Sequence, residues 1–277
     1  MHTLKSIGIL WYREVLRFWR DRTRIVSSLG PPFFFLFVFG SGLAPAIGGL
    51  GAGGLANSVN YIQFLFPGTL AMTILFTSMF TGTSIVWDRE FGFLKEVLVA
   101  PVGRMAVALG KILGGSTVAM LQGTLMLIFA PLVGVPLTVG LVLRLWLLMF
   151  VIAFALTALG VAIAVRMRSM EGFQMIMNFL NVPLLFLSGA FFPLRGLPAW
   201  LAVLVRVNPF TYAVDALRQV VLQSLGFSDP TGQALIAGGL GINFFGRTLS
   251  SGDDVLLIIL FGVSMTVIGT WMFSHGE

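Results

Sequence analysis

Long stretches of this sequence contain apolar and small residues with no charged residue among them. The longest such run extends from Ile25 to Trp87, which is 63 residues without Asp, Glu, Lys or Arg. A helix needs about 20 apolar residues to cross the hydrocarbon core of a bilayer, so this run has room for two spans and a loop. Seven glycines and Pro45 between residues 40 and 54 place the loop there, because glycine costs a helix backbone entropy.

Four further uncharged runs are each long enough to cross a membrane. They are about twice as long as a membrane β-strand and do not alternate between apolar and polar residues, so they favour helices. The pattern predicts an all-α polytopic membrane protein with six transmembrane helices, at about 25–43, 64–86, 106–135, 145–165, 173–194 and 255–273. We expect residues 25–277 to form one transmembrane domain, preceded by a separate helix over 1–24.

The segment 1–24 has the pattern of an amphipathic helix. Apolar residues recur at helical spacing on one side, namely Leu4, Ile7, Trp11, Val15 and Phe18. The opposite side carries Arg13, Arg17, Arg20 and Arg24. Such a helix is expected to lie in the membrane interface, with its arginines against lipid headgroups. A basic helix also suits nucleic acid, but this one is tethered to a bilayer and has no groove-reading scaffold, so lipid is the expected partner.

Composition supports the membrane assignment and excludes several functions. The chain is 57% hydrophobic and 10% charged, against about 45 to 50% and about 25% for a soluble domain. It has no Cys, and its two histidines, His2 and His275, lie near opposite ends without ligand-like neighbours. We therefore expect no metal site, no catalytic residue and no enzymatic activity in this chain.

The basic residues predict the orientation of the spans. With the N-terminus inside, segments 1–24, 88–111, 166–171 and 274–277 hold 12 of the 17 Lys and Arg residues. Because cytoplasmic loops of membrane proteins are enriched in Lys and Arg, both termini are predicted to be cytoplasmic.

The densest group of mixed charges lies between the second and third predicted spans, over 87–101. On a helical wheel, one face is apolar, with Trp87, Phe91, Leu94 and Leu98, and the other face carries the charges. Pro101 removes a backbone donor and ends the helix. The pattern indicates a short cytoplasmic helix that transmits force from a partner into the neighbouring spans. A solvated loop with incidental charges fits the same residues.

Two motifs resemble those of a known family. Asp88-Arg89-Glu90-x-Gly92-x-Leu94-Lys95-Glu96-x-Leu98-x-Ala100-Pro101 is similar to the coupling-helix signature of type-2 ATP-binding-cassette permeases. The second motif comprises Ser188-Gly189-Ala190-Phe191-Phe192-Pro193, Leu197-Pro198-x-Trp200 and the run from Asn208 to Arg218, and it resembles the family's outward re-entrant hairpin before the last span. The sequence Glu90-Phe91-Gly92-Phe93-Leu94 resembles that of the drug and lipophilic-compound exporter branch of this family.

The resemblance implies an ATP-driven export permease of a prokaryotic plasma (inner) membrane that works by alternating access. The implied partners are two cytoplasmic ATPase subunits, which hold ATP and Mg, and a second permease subunit, identical or different. The ATPase-coupling residues would be Asp88, Arg89, Glu90, Phe91, Gly92, Leu94, Lys95, Glu96 and Pro101. The chain itself lacks a phosphate-binding Gly-x-x-x-x-Gly-Lys-Ser/Thr loop, because Gly103 and Gly110-Lys111 have the wrong spacing and Ile112 follows the lysine.

The predicted spans contain no obvious relay for ions. A proton or ion pathway usually leaves carboxylates or histidines within the membrane, and the uncharged runs have none. They instead offer polarisable and weakly polar groups suited to an amphipathic cargo, and the candidate pathway residues are Phe76, Met79, Phe80, Asn178, Asn181 and Phe186. Packing between helices is an alternative explanation for each of them.

Several alternatives stay open at this level. The cargo is a drug-like compound or lipid, a glycan or an ion, and an ATP-independent channel, a secondary carrier or a membrane scaffold fits the same frame. A local ion pair is expected between Asp215 and Arg218, and Asp253 and Asp254 are expected to be solvated at the start of the last span.

Overall fold

The computed structural model describes residues 2–42, 61–90, 103–192, 194, 197–226, 243–244 and 247–275. Within these ranges the chain is almost entirely helical. The helices are α1 (His2–Arg20), α2 (Arg22–Phe34), α3 (Tyr61–Met79), α4 (Thr83–Glu90), α5 (Arg104–Met126), α6 (Val139–Ala164), α7 (Met170–Phe186), α8 (Ala199–Val207), α9 (Pro209–Ser224) and α10 (Ser251–His275). Two short antiparallel strands, β1 (Asn243–Phe244) and β2 (Arg247–Thr248), precede α10.

Five helical segments of the described ranges are long and apolar enough to cross a membrane. They are Ile25–Gly42, Tyr61–Glu90, Met105–Phe129, Val139–Ala164 and Ser251–Phe273. The predicted all-α polytopic architecture is thus confirmed. The predicted fifth span, 173–194, coincides with α7, which has 17 residues and contains Pro183. At about 1.5 Å per residue this helix falls short of the hydrocarbon thickness of about 30 Å, so the count of six spans stays a prediction.

Local sequence explains where the observed helices differ from the predicted bounds. The third span was predicted to reach 135, but α5 ends at Met126 and two 3₁₀ turns follow, closed by Gly134 with a φ of 79°. The fourth was predicted from 145, but α6 begins at Val139 because the Thr138 hydroxyl accepts the Leu141 N–H at 3.3 Å. Arg144 therefore lies inside a helix, where its exposed side chain is tolerated near the helix end.

The centre of the bundle is α3, which packs against α5, α6 and α9. By contrast, α2 and α10 lie at the periphery and expose most of their apolar residues, as lipid-facing helices do. At the periphery of the bundle, α10 packs against α6, where Gly262 allows close approach to Ala155. Small residues at such crossings let helix backbones pack tightly within a membrane.

The N-terminal helix α1 packs along α5. Gly110 and Gly114 give it room, since a Cβ at Gly110 would lie 2.8 Å from the Leu10 Cβ and one at Gly114 would lie 2.7 Å from the Glu14 Cβ. One turn further on, the Trp11 indole donates to the Thr117 hydroxyl at 2.9 Å. The predicted amphipathic helix is present and joins the bundle. Its placement in the lipid interface stays a prediction.

Candidate functional site

The last turn of α4 carries the first three residues of the predicted coupling motif, Asp88, Arg89 and Glu90. A 3₁₀ turn, Phe80–Gly82, joins α4 to the buried α3. Each of the three residues contacts a different part of the bundle: α5, the end of α6 and the start of α7. We call this set of contacts the α4 brace.

Asp88 connects α4 to α5 and α1. The Lys111 ammonium of α5 lies 2.8 Å from the Asp88 carboxylate and donates a second hydrogen bond to the Ser84 hydroxyl at 2.9 Å. Arg13 of α1 lies 3.9 Å from the same carboxylate oxygen. The Lys111 side chain is only 2% exposed, and a buried ammonium requires such a partner because desolvation is costly.

Arg89 connects α4 to the end of α6. Its guanidinium donates to the carbonyl of Val165 at 2.6 Å and to that of Met167 at 3.0 Å. These carbonyls lie just beyond the last residue of α6, where backbone acceptors have no partner within the helix. A cation at a helix C-terminus also interacts favourably with the helix dipole. Arg89 therefore holds the turn that joins α6 to α7.

Glu90 connects α4 to the start of α7. Its carboxylate accepts the backbone N–H of Met170, the first residue of α7, at 3.0 Å. The N-terminal N–H groups of a helix lack internal acceptors and favour a negative charge. The Ser169 hydroxyl caps the same end by accepting the Gly172 N–H at 3.2 Å. A displacement of Glu90 would thus act directly on the first turn of α7.

The remainder of the predicted coupling helix lies outside the described residues. This applies to Phe91, Gly92, Leu94, Lys95, Glu96 and Pro101. The contacts of the α4 brace therefore concern only the first three residues of the motif.

The junction between α3 and α4 lies at a close crossing with α6. A Cβ on Gly160 of α6 would lie 2.7 Å from the Met79 carbonyl, and one on Gly82 would lie 2.7 Å from the Gly160 carbonyl. The change from α-helix to 3₁₀-helix occurs at this contact. Short 3₁₀ stretches within helices often mark hinges.

Two neighbouring cavities open beside this junction. The larger one, about 340 Å³, has charged and amide groups from Glu14, Arg17 and Gln174 and aromatic rings from Phe18, Phe80 and Trp87. We call it the outer cavity. The smaller one, about 220 Å³, is bounded by Phe18, Ser28, Phe76, Thr77, Phe80 and Gln122. We call it the aromatic cavity. Phe18 and Phe80 line both.

The structure separates the predicted pathway residues into three groups. Phe76 and Phe80 line cavities. Met79 and Asn181 are fully buried, and neither amide atom of Asn181 has a hydrogen-bond partner among the described residues. Asn178 and Phe186 are exposed on α7. Four of the six therefore line no described cavity, and the assignment of all six to a pathway stays a prediction.

Sequence reasoning did not single out Lys111 as a partner of Asp88, or Gln122, Glu14 and Arg17 as cavity residues. In the sequence, Lys111 belongs to a Gly-Lys pair that does not match a phosphate-binding loop. The available signal was a lone lysine at the edge of an uncharged run, one long loop away from an aspartate. A buried lysine in a membrane helix requires a counter-charge.

The expectation for Asp254 was wrong, because this carboxylate is fully buried. Asp253 is partly exposed and caps α10 by accepting the Ser250 N–H at 3.0 Å. Asp254 instead accepts from the Gln219 amide of α9 at 3.2 Å. The same amide donates to Asp215 at 3.0 Å. The first turn of α10 faces α9 here, so topology alone does not predict solvation.

Arg218 has partners far from its own helix. Its guanidinium donates to the Gly189 carbonyl at 2.6 Å and lies 4.1 Å from the centre of the Phe64 ring. Because Arg218 is almost completely buried, these contacts replace the interactions with water that its guanidinium loses. They tie α9 to α3 and to the turn after α7. No three His, Asp or Glu side chains lie close enough to hold a metal anywhere in the described part of the chain.

The long apolar helices, the buried ion pair at the end of a span and the amphipathic cavities define a multi-pass membrane protein of the transport type. The chain belongs to the ABC-2 type transporter family, which its sequence matches over residues 5–222. It is therefore a permease subunit of a transporter, and permeases of this family normally work with an ABC ATPase.

Named relatives agree with this assignment. The daunorubicin resistance ABC transporter permease protein DrrB1 of Streptomyces coeruleorubidus is 29% identical over 227 residues, covering 79% of this chain and 76% of that protein. The inner membrane transport permease YadH of Escherichia coli K12 is 26% identical over 270 residues, 96% of this chain and 90% of its own. The ycf38 protein of Cyanophora paradoxa is 26% identical over 262 residues, with 93% and 85% coverage.

Proposed function

We propose that this chain is the membrane subunit of an ATP-driven exporter that moves a lipophilic or amphipathic compound out of the cytoplasm by alternating access. Two such subunits, each with six spans and cytoplasmic termini in a prokaryotic inner membrane, would form the pathway. Two ABC ATPase subunits would bind ATP and Mg and drive it. The drug-resistance name of one relative supports a drug-like or lipid cargo. If the cargo is a glycan or an ion instead, the same transport assay would show ATP-dependent movement of that compound and not of the drug-like compound.

The observation that carries this proposal is the α4 brace. Asp88, Arg89 and Glu90 are covalently joined to the segment proposed to contact the ATPase, and they bond to α5, to the α6 terminus and to α7 respectively. A push on residues 91–101 would therefore reach three helices through fixed polar contacts. The 3₁₀ turn at Phe80–Gly82 offers a hinge for that movement.

The proposed motion would change the shape of the outer cavity. When the brace moves α4 against α7, the ring of Trp87 moves with α4, whereas Phe80 lies in the hinge, and both rings line the outer cavity. The cavity then changes shape as the ATPases close. The outward re-entrant hairpin formed by α8 and α9 would serve as the gate on the other side.

Reconstitution of the permease with its copurifying ABC ATPase tests the proposal. We expect ATP-dependent accumulation of daunorubicin in inside-out vesicles and stimulation of ATPase activity by this cargo. Glu90→Arg and Gly92→Trp are expected to reduce the stimulated rate about tenfold, which corresponds to about 1.4 kcal/mol of lost coupling. Arg144→Glu, a charge reversal at an exposed position near the other end of α6, is the control and should retain coupling.

Two outcomes would contradict the proposal. Cargo movement by the permease without any ATPase would indicate a channel or secondary carrier. Wild-type coupling in both Glu90→Arg and Gly92→Trp would show that the motif at 88–101 does not contact the ATPase.

A further inference from the structure

The aromatic cavity lies between four α-helices and one 3₁₀ turn, and each contributes to its wall. Phe18 comes from α1, Ser28 from α2, Phe76 and Thr77 from α3, and Gln122 from α5, while Phe80 begins the 3₁₀ turn. The proposed export function does not by itself assign any role to this cavity. Three phenyl rings and one buried amide in about 220 Å³ make it mostly apolar, with a small number of polar groups, which is the usual composition of a ligand site.

Gln122 is the polar group that requires explanation. Its side chain is fully buried, and its amide nitrogen donates to the Ile25 carbonyl at 3.3 Å. Its carbonyl oxygen, Oε1, accepts no hydrogen bond from any residue that the structure describes. Buried polar atoms are nearly always paired, because leaving one unpaired is costly. An acceptor at the wall of a cavity therefore favours a ligand that brings a donor.

Ser28 does not satisfy this acceptor. Its hydroxyl donates to the Ile25 carbonyl at 3.0 Å, the same oxygen that the Gln122 amide contacts. With both donors directed to Ile25, neither of them satisfies the Gln122 oxygen.

The size of the cavity limits what fits. A protein cavity of about 150 Å³ with apolar walls binds benzene, so a somewhat larger one accommodates a substituted or fused ring. A complete drug-sized molecule needs at least about 300 Å³. The adjoining outer cavity supplies that room, together with the charged groups of Glu14 and Arg17. The aromatic cavity alone therefore limits its ligand to one substituted or fused ring.

We propose that the aromatic cavity binds the ring end of an amphipathic cargo that carries a hydroxyl or amine, which donates a hydrogen bond to Gln122 Oε1. The proposal rests on the proposed export function for the identity of the ligand as cargo, but not for the existence of the site. The three phenylalanines supply contact with the ring face and edge, and Gln122 supplies selectivity for a donor.

Binding of a matched pair of probes to the purified permease in lipid nanodiscs tests the site. The probes are radiolabelled 2-naphthol, which has a hydroxyl donor, and 2-methoxynaphthalene, which has the same ring without a donor. Binding to empty nanodiscs is subtracted from each. We expect the wild type to prefer 2-naphthol about tenfold after this correction, as one additional buried hydrogen bond implies.

Three variants identify the origin of the preference. Gln122→Leu should bind both probes equally and retain affinity for the methyl ether. Phe76→Trp fills the cavity and should weaken both probes about tenfold without changing their ratio. Gln223→Leu, on α9 away from both cavities, should behave as the wild type. If Gln122→Leu does not purify as a folded protein, Gln122→Met, of the same length and without the acceptor, replaces it.

The results decide the proposal in either direction. Equal binding of the two probes to the wild type, or an undiminished donor preference in Gln122→Leu or Gln122→Met, would overturn it. Unchanged binding in Phe76→Trp would place the probes elsewhere. Because the assay contains no ATPase, a donor preference without ATP-dependent transport would overturn only the export function. Transport unaffected by both Gln122→Leu and Phe76→Trp would overturn the assignment of the bound molecule as cargo.

Discussion

Lys111 and Asp88 form a salt bridge of 2.8 Å that joins the short helix α4 to the long apolar helix α5. The Lys111 side chain is almost completely buried, whereas that of Asp88 is 22% exposed. The pair is 23 residues apart in sequence and encloses the segment 91–102 between its two members. The ion pair therefore closes a loop at the base of the proposed coupling segment, and it should contribute to both stability and coupling.

We expect Asp88→Asn to destabilise the protein by about 2 to 3 kcal/mol, because it leaves a buried ammonium without its counter-charge. Lys111→Met should cost less, since the partly exposed Asp88 retains water and Arg13. The double variant should recover at least half of the loss seen in Asp88→Asn. Free energies of unfolding in mixed micelles, combined as a double-mutant cycle, measure this coupling. Additive effects of the two substitutions would show that the pair does not stabilise the fold.

The crossing of α3 and α6 leads to a second prediction. A Cβ at Gly160 would lie 2.7 Å from the Met79 carbonyl, so Gly160→Ala must displace one backbone. We expect a loss of about 1 to 3 kcal/mol in the free energy of unfolding, as overpacking typically causes. Gly269→Ala is the matched control, because its Cβ would meet Ala162 at an ordinary 3.5 Å. Equal stability of the two variants would contradict the close crossing.

The sequence predicts the transmembrane helices well because the bilayer imposes a simple rule on local composition. Charge-free runs located helices at all six predicted positions, and five segments have the length and composition of spans. The bounds were less accurate, because caps such as Thr138 and turn residues such as Gly134 decide where a helix begins or ends. These local signals act over a few residues and are hidden by a count of charges.

The candidate site was predicted only in part, because its partners come from distant elements. The motif at 88–101 drew attention to Asp88, Arg89 and Glu90 from the sequence. Their partners Lys111, Val165 and Met170 are determined by how α5, α6 and α7 pack around α4, which no local pattern contains. The burial of Asp254 was missed for the same reason.

Arg89 provides a third prediction, on coupling. One guanidinium nitrogen, Nη1, donates to both carbonyls at the end of α6, and a lysine ammonium has enough N–H groups for both but lacks the rigid planar guanidinium that holds them in position. In the reconstituted complex we expect Arg89→Lys to reduce cargo-stimulated ATPase activity about threefold to tenfold, a loss of about 1 kcal/mol in coupling. Basal ATPase activity should not change. Arg166→Lys, at an exposed position in the same turn, is the control, and coupling equal to wild type in Arg89→Lys would contradict the role of Arg89.

The amide of Gln219 provides the last prediction. It donates to Asp215 at 3.0 Å and to Asp254 at 3.2 Å, and thereby brings together two carboxyl groups from α9 and α10. Gln219→Leu removes the shared donor and leaves two acidic groups facing each other in a site with little water. The loss of a hydrogen-bond partner costs a buried polar group about 1 to 3 kcal/mol, so we expect a loss of about 2 kcal/mol in the free energy of unfolding.

Gln174→Leu, at an exposed position of α7, is the control and should cost less than about 0.5 kcal/mol, the usual effect of a surface substitution. A second comparison separates repulsion from the loss of a donor. Asp254→Asn, combined with Gln219→Leu, removes one of the two acidic groups and supplies a new amide donor for Asp215. This double variant should therefore be more stable than Gln219→Leu alone. If it is less stable, the close approach of the two carboxyl groups does not account for the instability of Gln219→Leu.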